Sequence, residues 1–163
     1  MINELIVARV NEDVKLPSKR QADAGYDIYA YMEENEFIFA PHQTRLVPTG
    51  LYTAMSQDFV LVLKERGSTG SIGMKVGAGI VDSNYRGEIF VAITNENNKP
   101  LIISKNYSKT IKENNVIIYP YSKGIAQALI LPVPKMEVKE VSIEELQSIP
   151  SDRGTGSLGS SGK

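Results

Sequence analysis

Short apolar runs, each cut off by polar or turn-forming residues, recur along this chain from one end almost to the other. Residues 5–10, 37–40, 59–64 (FVLVLK), 89–94, 101–104, 116–119 and 125–131 are each strand-length and rich in β-branched or aromatic side chains. Residues 45–47 and 51–54 read as the arms of a turn at Pro48-Thr49-Gly50. Around Gly25 and Asp27, residues 24–30 (AGYDIYA) alternate apolar and polar. Helical periodicity is nearly absent, so the pattern predicts an all-β barrel or sandwich. One helix is expected at most, over residues 143–147, where Ser142 and Glu145 have capping-box spacing and Pro150 stops the run. Residues 151–163 carry glycines at 154, 156, 159 and 162 and no core-forming pattern. They read as a flexible arm beyond a single β domain over residues 1–150.

Composition narrows the class. At 163 residues, with 42% hydrophobic and 23% charged positions, the chain is long enough for a real core and is globular in type. A formal charge of −1 supplies no basic field for holding a nucleic-acid backbone. The absence of cysteine excludes disulfides and thiolate metal sites. Acids interrupt the N-terminal stretch where a signal peptide needs basic and then apolar residues, and no apolar run approaches the ~20 residues of a membrane helix. A soluble, cytoplasmic protein is the expectation.

Candidate chemistry concentrates between Lys64 and Ile89, KERGSTGSIGMKVGAGIVDSNYRGEI. Its second half sets Gly77, Gly79 and Gly87 beside Asp82 and Tyr85, either as a β-hairpin with an ordinary turn or as a ligand site approached by bare backbone. Arg66, with Gly67 and the hydroxyls of Ser68, Thr69 and Ser71, offers a fork-shaped cation and neutral donors suited to phosphate. The tail repeats that kit with Arg153, its glycines, Ser160 and Ser161. Neither segment fits the standard phosphate-loop or dinucleotide signatures. Asp27 and Asp82 are the acids best placed to act: one carboxylate suffices for a magnesium ion held mainly by water and phosphate, and a second could activate water. Both could instead cap turns. His42, between Pro41 and Gln43, reads as a surface turn residue.

Five segments in order, AGYDIYA at 24–30, RGSTG at 66–70, GAGIVDSNYRGEI at 77–89, GIAQ at 124–127 and RGTGSLGSSG at 153–162, resemble the motifs of the trimeric dUTP pyrophosphatases, the dUTPases. The resemblance implies a distorted jelly-roll-like β-barrel, a homotrimer with active sites at subunit junctions, and dUTP and Mg2+ as ligands. It implies hydrolysis of dUTP to dUMP and pyrophosphate, limiting uracil in DNA and supplying dUMP for dTMP synthesis. In the cytoplasm (the host's, for a phage protein) such an enzyme needs neither nucleic acid nor membrane. By position, Asp82 would activate the water attacking the α-phosphorus, and Asp27 would hold the metal through water. Tyr85 would pack beneath the deoxyribose and reject ribonucleotides, while the backbone of Gly77, Gly79, Ile80 and Val81 would read uracil. Arg66, Gly67, Ser68 and Gln127 would hold phosphates. The arm would close as a lid, with Leu158 and Gly159 over the base and Arg153, Ser160 and Ser161 at the γ-phosphate.

The chain departs from the pattern at named places. Gly67 stands where serine usually follows the arginine, Gly124 where arginine precedes IAQ, and Leu158 where an aromatic covers the base. Ser157 replaces a common glycine and Ser161 a threonine. A dCTP deaminase of the same fold is the nearest rival, but the place of its catalytic glutamate is Ala92. A non-catalytic trimer that senses a nucleotide and docks onto a protein partner is the rival of another class. Residues 95–121, rich in Asn and Lys, suggest no role.

Overall fold

The structure, a computed structural model, describes residues 4–156. In chain order its strands are β1 (Ile6–Arg9), β2 (Tyr26–Ile28), β3 (Glu36–Phe39), β4 (Thr44–Pro48), β5 (Leu51–Ala54), β6 (Phe59–Lys64), β7 (Met74–Gly77) and β8 (Ile80–Val81). They continue with β9 (Phe90–Asn95), β10 (Leu101–Ser104), β11 (Ile111–Lys112), β12 (Ile117–Pro120) and β13 (Ala126–Pro132). Two short helices complete the described residues: α1, the single turn Gly67–Gly70, and α2, Ile143–Ser148.

Strands adjacent in sequence mostly pair with distant ones. The sheets run β2-β13-β6-β8, β11-β12-β10-β3, β4-β9-β7 and β1-β5, and every pairing is antiparallel except β10 with β12. This is the nearly all-β fold that the strand pattern predicted, of the jelly-roll-like kind that the motif resemblance implied. Alternation drives it. In β6, Leu61 and Leu63 are buried while Val60 and Val62 are half-buried, and in β9, Val91 and Ile93 turn fully inward. Phe39, Val47, Leu51, Met74, Leu101 and Tyr119 fill the space between the sheets.

Three expectations change. The arms around Pro48-Thr49-Gly50 exist, yet β4 pairs with β9 and β5 with β1, so the turn is a corner between sheets. Gly50, at φ 66°, supplies the left-handed residue that this corner needs. Likewise β7 pairs with β9 and β8 with β6, so residues 77–81 form a crossing between two sheets and not a hairpin. The helical turn α1 was unforeseen, whereas α2 starts as its capping pattern predicts, with Glu145 N–H donating to Ser142 Oγ at 3.0 Å. Residues 95–121 prove to be structural: β10 and β12 belong to a sheet, and the buried Asn95 amide donates to the carbonyls of Ala40 and Lys99.

Candidate active site

The register of one sheet assembles the first half of the site. Asp27 in β2 lies opposite Gln127 in β13, which lies opposite Lys64 at the end of β6. Immediately beyond, the chain turns into α1, and Arg66 folds back onto Asp27. The pair is bidentate: Nε donates to Oδ1 at 2.6 Å and Nη2 to Oδ2 at 3.0 Å. Arg66 Nη1 donates to Gly124 O at 3.2 Å and Ser68 Oγ at 3.2 Å, with the Tyr119 hydroxyl at 3.5 Å. Burial opposes the guanidinium charge, but the Asp27 carboxylate outweighs it and raises the Arg66 pKa further. Burial likewise pushes the Tyr119 phenol up, keeping it a neutral donor to Gly124 O at 2.7 Å.

A cleft of about 990 Å³ opens over this pair, lined among others by Lys19, Arg20, Asp23, Gly67, Ser68 and Gln127. Gln127 Nε2 donates to Glu65 O at 2.7 Å, and its Oε1 lies where a Cβ on Gly25 would stand, 2.6 Å from that position. Ser68 is exposed to the cleft, but Thr69 is not. Its hydroxyl is buried, accepting from Arg66 N–H at 3.0 Å and donating to Arg66 O at 3.1 Å. Thr69 therefore shapes the turn and offers nothing to a phosphate, and Ser71 Oγ donates to Ser68 O at 3.3 Å. Glu65 is held below the usual carboxylate range: burial works against its charge, but the backbone N–H groups of Glu65 and Val76, with Lys64, outweigh it.

The second half lies elsewhere. A smaller pocket of about 220 Å³ is lined by Ala78, Ile80, Val81, Asp82, Tyr85, Glu88, Ile89 and Phe90. Asp82 is exposed just after β8, and Tyr85 N–H donates to Asp82 O at 3.1 Å, closing a turn. The Tyr85 hydroxyl donates to Glu88 O at 3.0 Å, which draws its ring across Gly87. A Cβ at Gly87 would lie 2.3 Å from the Tyr85 hydroxyl oxygen, so glycine is what lets the ring lie there. Gly79 is needed for a different reason: its Cβ would stand 2.2 Å from Leu63 O, whereas one on Gly77 would meet nothing within 4 Å. Ala78, between them, takes φ 46°, a strained conformation for a residue with a side chain.

The structure thus brings Asp27, Arg66, Gly67, Ser68 and Gln127 together, and separately Ile80, Val81, Asp82 and Tyr85. Arg153 sits in a turn where its Nε donates to Gly156 O at 3.1 Å. Leu158, Gly159, Ser160 and Ser161 lie outside the described residues. His42 is a surface turn residue as expected, its Nε2 2.8 Å from Asn98 Oδ1. Sequence reasoning missed Tyr119 and the purpose of Gly87. A tyrosine ending an otherwise aliphatic run, five residues before Gly124, was the available signal for the first.

Comparison with known proteins bears on the family and the fold. The family model described as dUTPase matches residues 12–108. The deoxyuridine 5'-triphosphate nucleotidohydrolase of Mycolicibacterium vanbaalenii is 33% identical, over 99% of this chain and 97% of its own length. That of Candida albicans is 30% identical over 91% of this chain and 82% of its own. Among solved structures, the dUTPase of Staphylococcus bacteriophage 80alpha with dUpNHpp superposes with a TM-score of 0.76 at 23% identity, over 99% of this chain and 100% of that one. The phage phi11 dUTPase of S. aureus, whose D95N mutant shows a structural Mg(II) ion, superposes with a TM-score of 0.66 at 21% identity, over 85% of this chain and 97% of that one. These likenesses to solved structures bear on the fold.

Proposed function

The chain belongs to the dUTPase family, and from that premise we propose that it hydrolyses dUTP to dUMP and pyrophosphate at sites completed between copies of itself. The observation that carries the reading is the complementarity of the two pockets: one cationic and hydroxyl-lined, one holding an exposed carboxylate beside an aromatic ring. Neither is complete alone. Exposed apolar side chains support assembly: beyond β13, Met136, Val138, Ile143, Leu146 and Ile149 are each more than half exposed, which a lone globule avoids. A homotrimer is the arrangement the motif resemblance implies.

In this mechanism the Asp82 carboxylate accepts a proton from water as that water bonds to the α-phosphorus. The bond from the α-phosphorus to the bridging oxygen breaks, and pyrophosphate departs. Tyr85, anchored through Glu88 O, forms the floor under the deoxyribose and leaves no room for a 2′-hydroxyl. The crossing at residues 77–81 presents backbone groups to uracil. Ser68, Gly67 and Gln127 meet the phosphates, on a wall that Arg66 and Asp27 brace. Arg153 takes the γ-phosphate.

The donor set suits magnesium. Among the described residues no three His, Asp or Glu side chains group as a metal cage, so phosphate oxygens and water would be its main ligands, with Asp27 accepting from that water. When bound, the ion neutralises charge on the triphosphate. Deamination is disfavoured because Ala92, in the middle of β9 between Leu46 and Gly77, offers no carboxylate.

The test is pyrophosphate release from dUTP with magnesium, run for wild type and Asp82→Asn, with dCTP, dTTP and UTP alongside. Turnover of dUTP alone, falling about 10²–10⁴-fold in the variant, is expected of a lost general base. Tight dUTP binding without turnover in the wild type would overturn the enzymatic reading and leave a nucleotide-sensing trimer.

A further inference from the structure

The charged residues around the large cleft are Lys19, Arg20, Asp23, Asp27 and Arg66. Four of them cancel. Arg66 is bidentate on Asp27, and Arg20 is bidentate on Asp23, with Nε to Oδ2 at 2.9 Å and Nη2 to Oδ1 at 3.1 Å. Arg66 is also nearly out of donors: four of its five N–H groups already point at Asp27, Gly124 O and Ser68 Oγ. A guanidinium so occupied braces the wall better than it captures a new anion.

Lys19 differs. Its Nζ donates to the carbonyl of Asp23 at 2.9 Å and stands 5.0 Å from the centre of the Tyr26 ring; its charge also acts on the Asp23 carboxylate, but that carboxylate's hydrogen-bonded partner is Arg20. Two of its three N–H donors remain for a ligand. Its backbone is anchored as well: the neighbouring Ser18 bridges Asp27 through Asp27 N–H to Ser18 O at 2.7 Å and Ser18 N–H to Asp27 O at 3.4 Å. The loop beyond it is closed by Asp23 N–H on Arg20 O at 3.1 Å. The cleft's net positive charge therefore resides on one ammonium group, held one residue from the bridge that joins Ser18 to Asp27.

We propose that Lys19 is a substrate-binding residue that holds the pyrophosphate half of the triphosphate, while the Arg66–Asp27 pair serves as the rigid wall behind it. This rests on the reading of the cleft as a phosphate site. The ligand class follows from the chemistry: a compact, hydrated cation matches a polyanion that arrives with its own water and metal, whereas a planar carboxylate favours a guanidinium fork.

The experiment compares wild type, Lys19→Met and Lys19→Arg for KM and kcat with dUTP, and for inhibition by dUMP and by pyrophosphate. Pyrophosphate binding is also measured by calorimetry without turnover. The expected result for Lys19→Met is a rise of about tenfold in KM and in the pyrophosphate constant, the size of one charge-assisted contact, with a smaller change in kcat. The dUMP constant stays at the wild-type value, the salt dependence of KM flattens, and Lys19→Arg recovers most of the loss. Unchanged pyrophosphate binding in Lys19→Met overturns the proposal. So does an equal loss for dUMP and pyrophosphate that Lys19→Arg does not recover, because that signals collapse of the 18–23 loop. Absence of dUTP turnover in the wild type refutes the proposed function instead, and calorimetry with pyrophosphate still decides Lys19.

Discussion

Gly77 and Gly79 look equivalent in sequence, and the structure predicts opposite consequences for replacing them with alanine. A Cβ on Gly79 would lie 2.2 Å from Leu63 O, against 3.4 Å or more for an ordinary contact, so backbone must move by about an ångström. The move is resisted because Leu63 N–H donates to Gly79 O at 2.7 Å and β8 is pinned to β6 at Leu61–Val81 and Val62–Ile80. Leu63 is only 2% exposed, so its freed N–H finds no water. Overpacking costs about 1–3 kcal/mol, and a buried unpaired donor about 1–3 kcal/mol more. Gly79→Ala should therefore lose about 2–6 kcal/mol, or roughly 6–18 °C in Tm for a chain of this size. Gly77→Ala meets nothing within 4 Å and should keep its stability within about 0.5 kcal/mol. Because residue 77 is exposed at the proposed base-reading crossing, its effect should appear as a raised KM for dUTP at unchanged Tm. Thermal unfolding of both variants with dUTP kinetics on each is the assay. A Gly79→Ala protein that melts within about 2 °C of wild type would refute the close-approach argument.

Three further outcomes are expected. Gly87→Ala places a Cβ 2.5 Å from Tyr85 Cζ and must swing the ring aside; discrimination against UTP should fall while dUTP turnover persists, measured as the ratio of kcat/KM values. Gly67→Ser enters open space, since nothing lies within 4 Å of its Cβ; it should fold as well as wild type and lower KM for dUTP through one added hydroxyl contact, and an unchanged or higher KM would count against residue 67 facing phosphate. Glu65, whose side chain is 15% exposed and whose pKa is depressed, stabilises the fold above the unfolded carboxylate value and loses that contribution as pH falls through its lower folded value. The Tm advantage of wild type over Glu65→Gln should therefore shrink from about pH 7 to about pH 3, and a gap constant with pH would refute the assignment.

Local chemistry was legible in the sequence where it depends on near neighbours. The strand runs, the Ser142 cap and the turn at Asp82 follow from alternation, a hydroxyl at the right spacing and turn-forming residues. Pairing was not legible, because β7 and β8 read like a hairpin by proximity while their partners, β9 and β6, lie at other points of the chain. For the same reason the Arg66–Asp27 pair could not be anticipated, its members standing 39 positions apart in the chain. That pair changes the meaning of two residues assigned singly. Arg66 was expected as a phosphate clamp and Asp27 as a metal anchor, and each now has the other as its first partner. Thr69 shows the converse limit: three hydroxyls within four residues look alike, and only the fold separates Thr69, buried in the turn, from Ser68, which faces the cleft, and Ser71, which bonds back to Ser68 O.

The sheet itself measures how far apart the two proposed carboxylates stand. From Asp27 on β2 to Asp82 beyond β8 the order is β2-β13-β6-β8, three strand spacings, or roughly 14 Å across. The register adds a displacement along the strands. Asp27 aligns through Gln127 with Lys64, while Val81 aligns with Leu61, so Asp82 falls four residues further along β6, roughly 13 Å. The two together separate the backbones by roughly 19 Å. A base bonded to the attacking water and an acid bonded to magnesium-bound water are linked through the phosphate by contacts of about 2–3 Å each, and so stand roughly 10 Å apart. Side chains of aspartate cannot close that difference within one chain. On the proposed mechanism, Asp82 of one copy must therefore meet Asp27, Arg66 and Lys19 of another, so the apolar stretch beyond β13 and the chemistry at Asp82 depend on the same act of assembly.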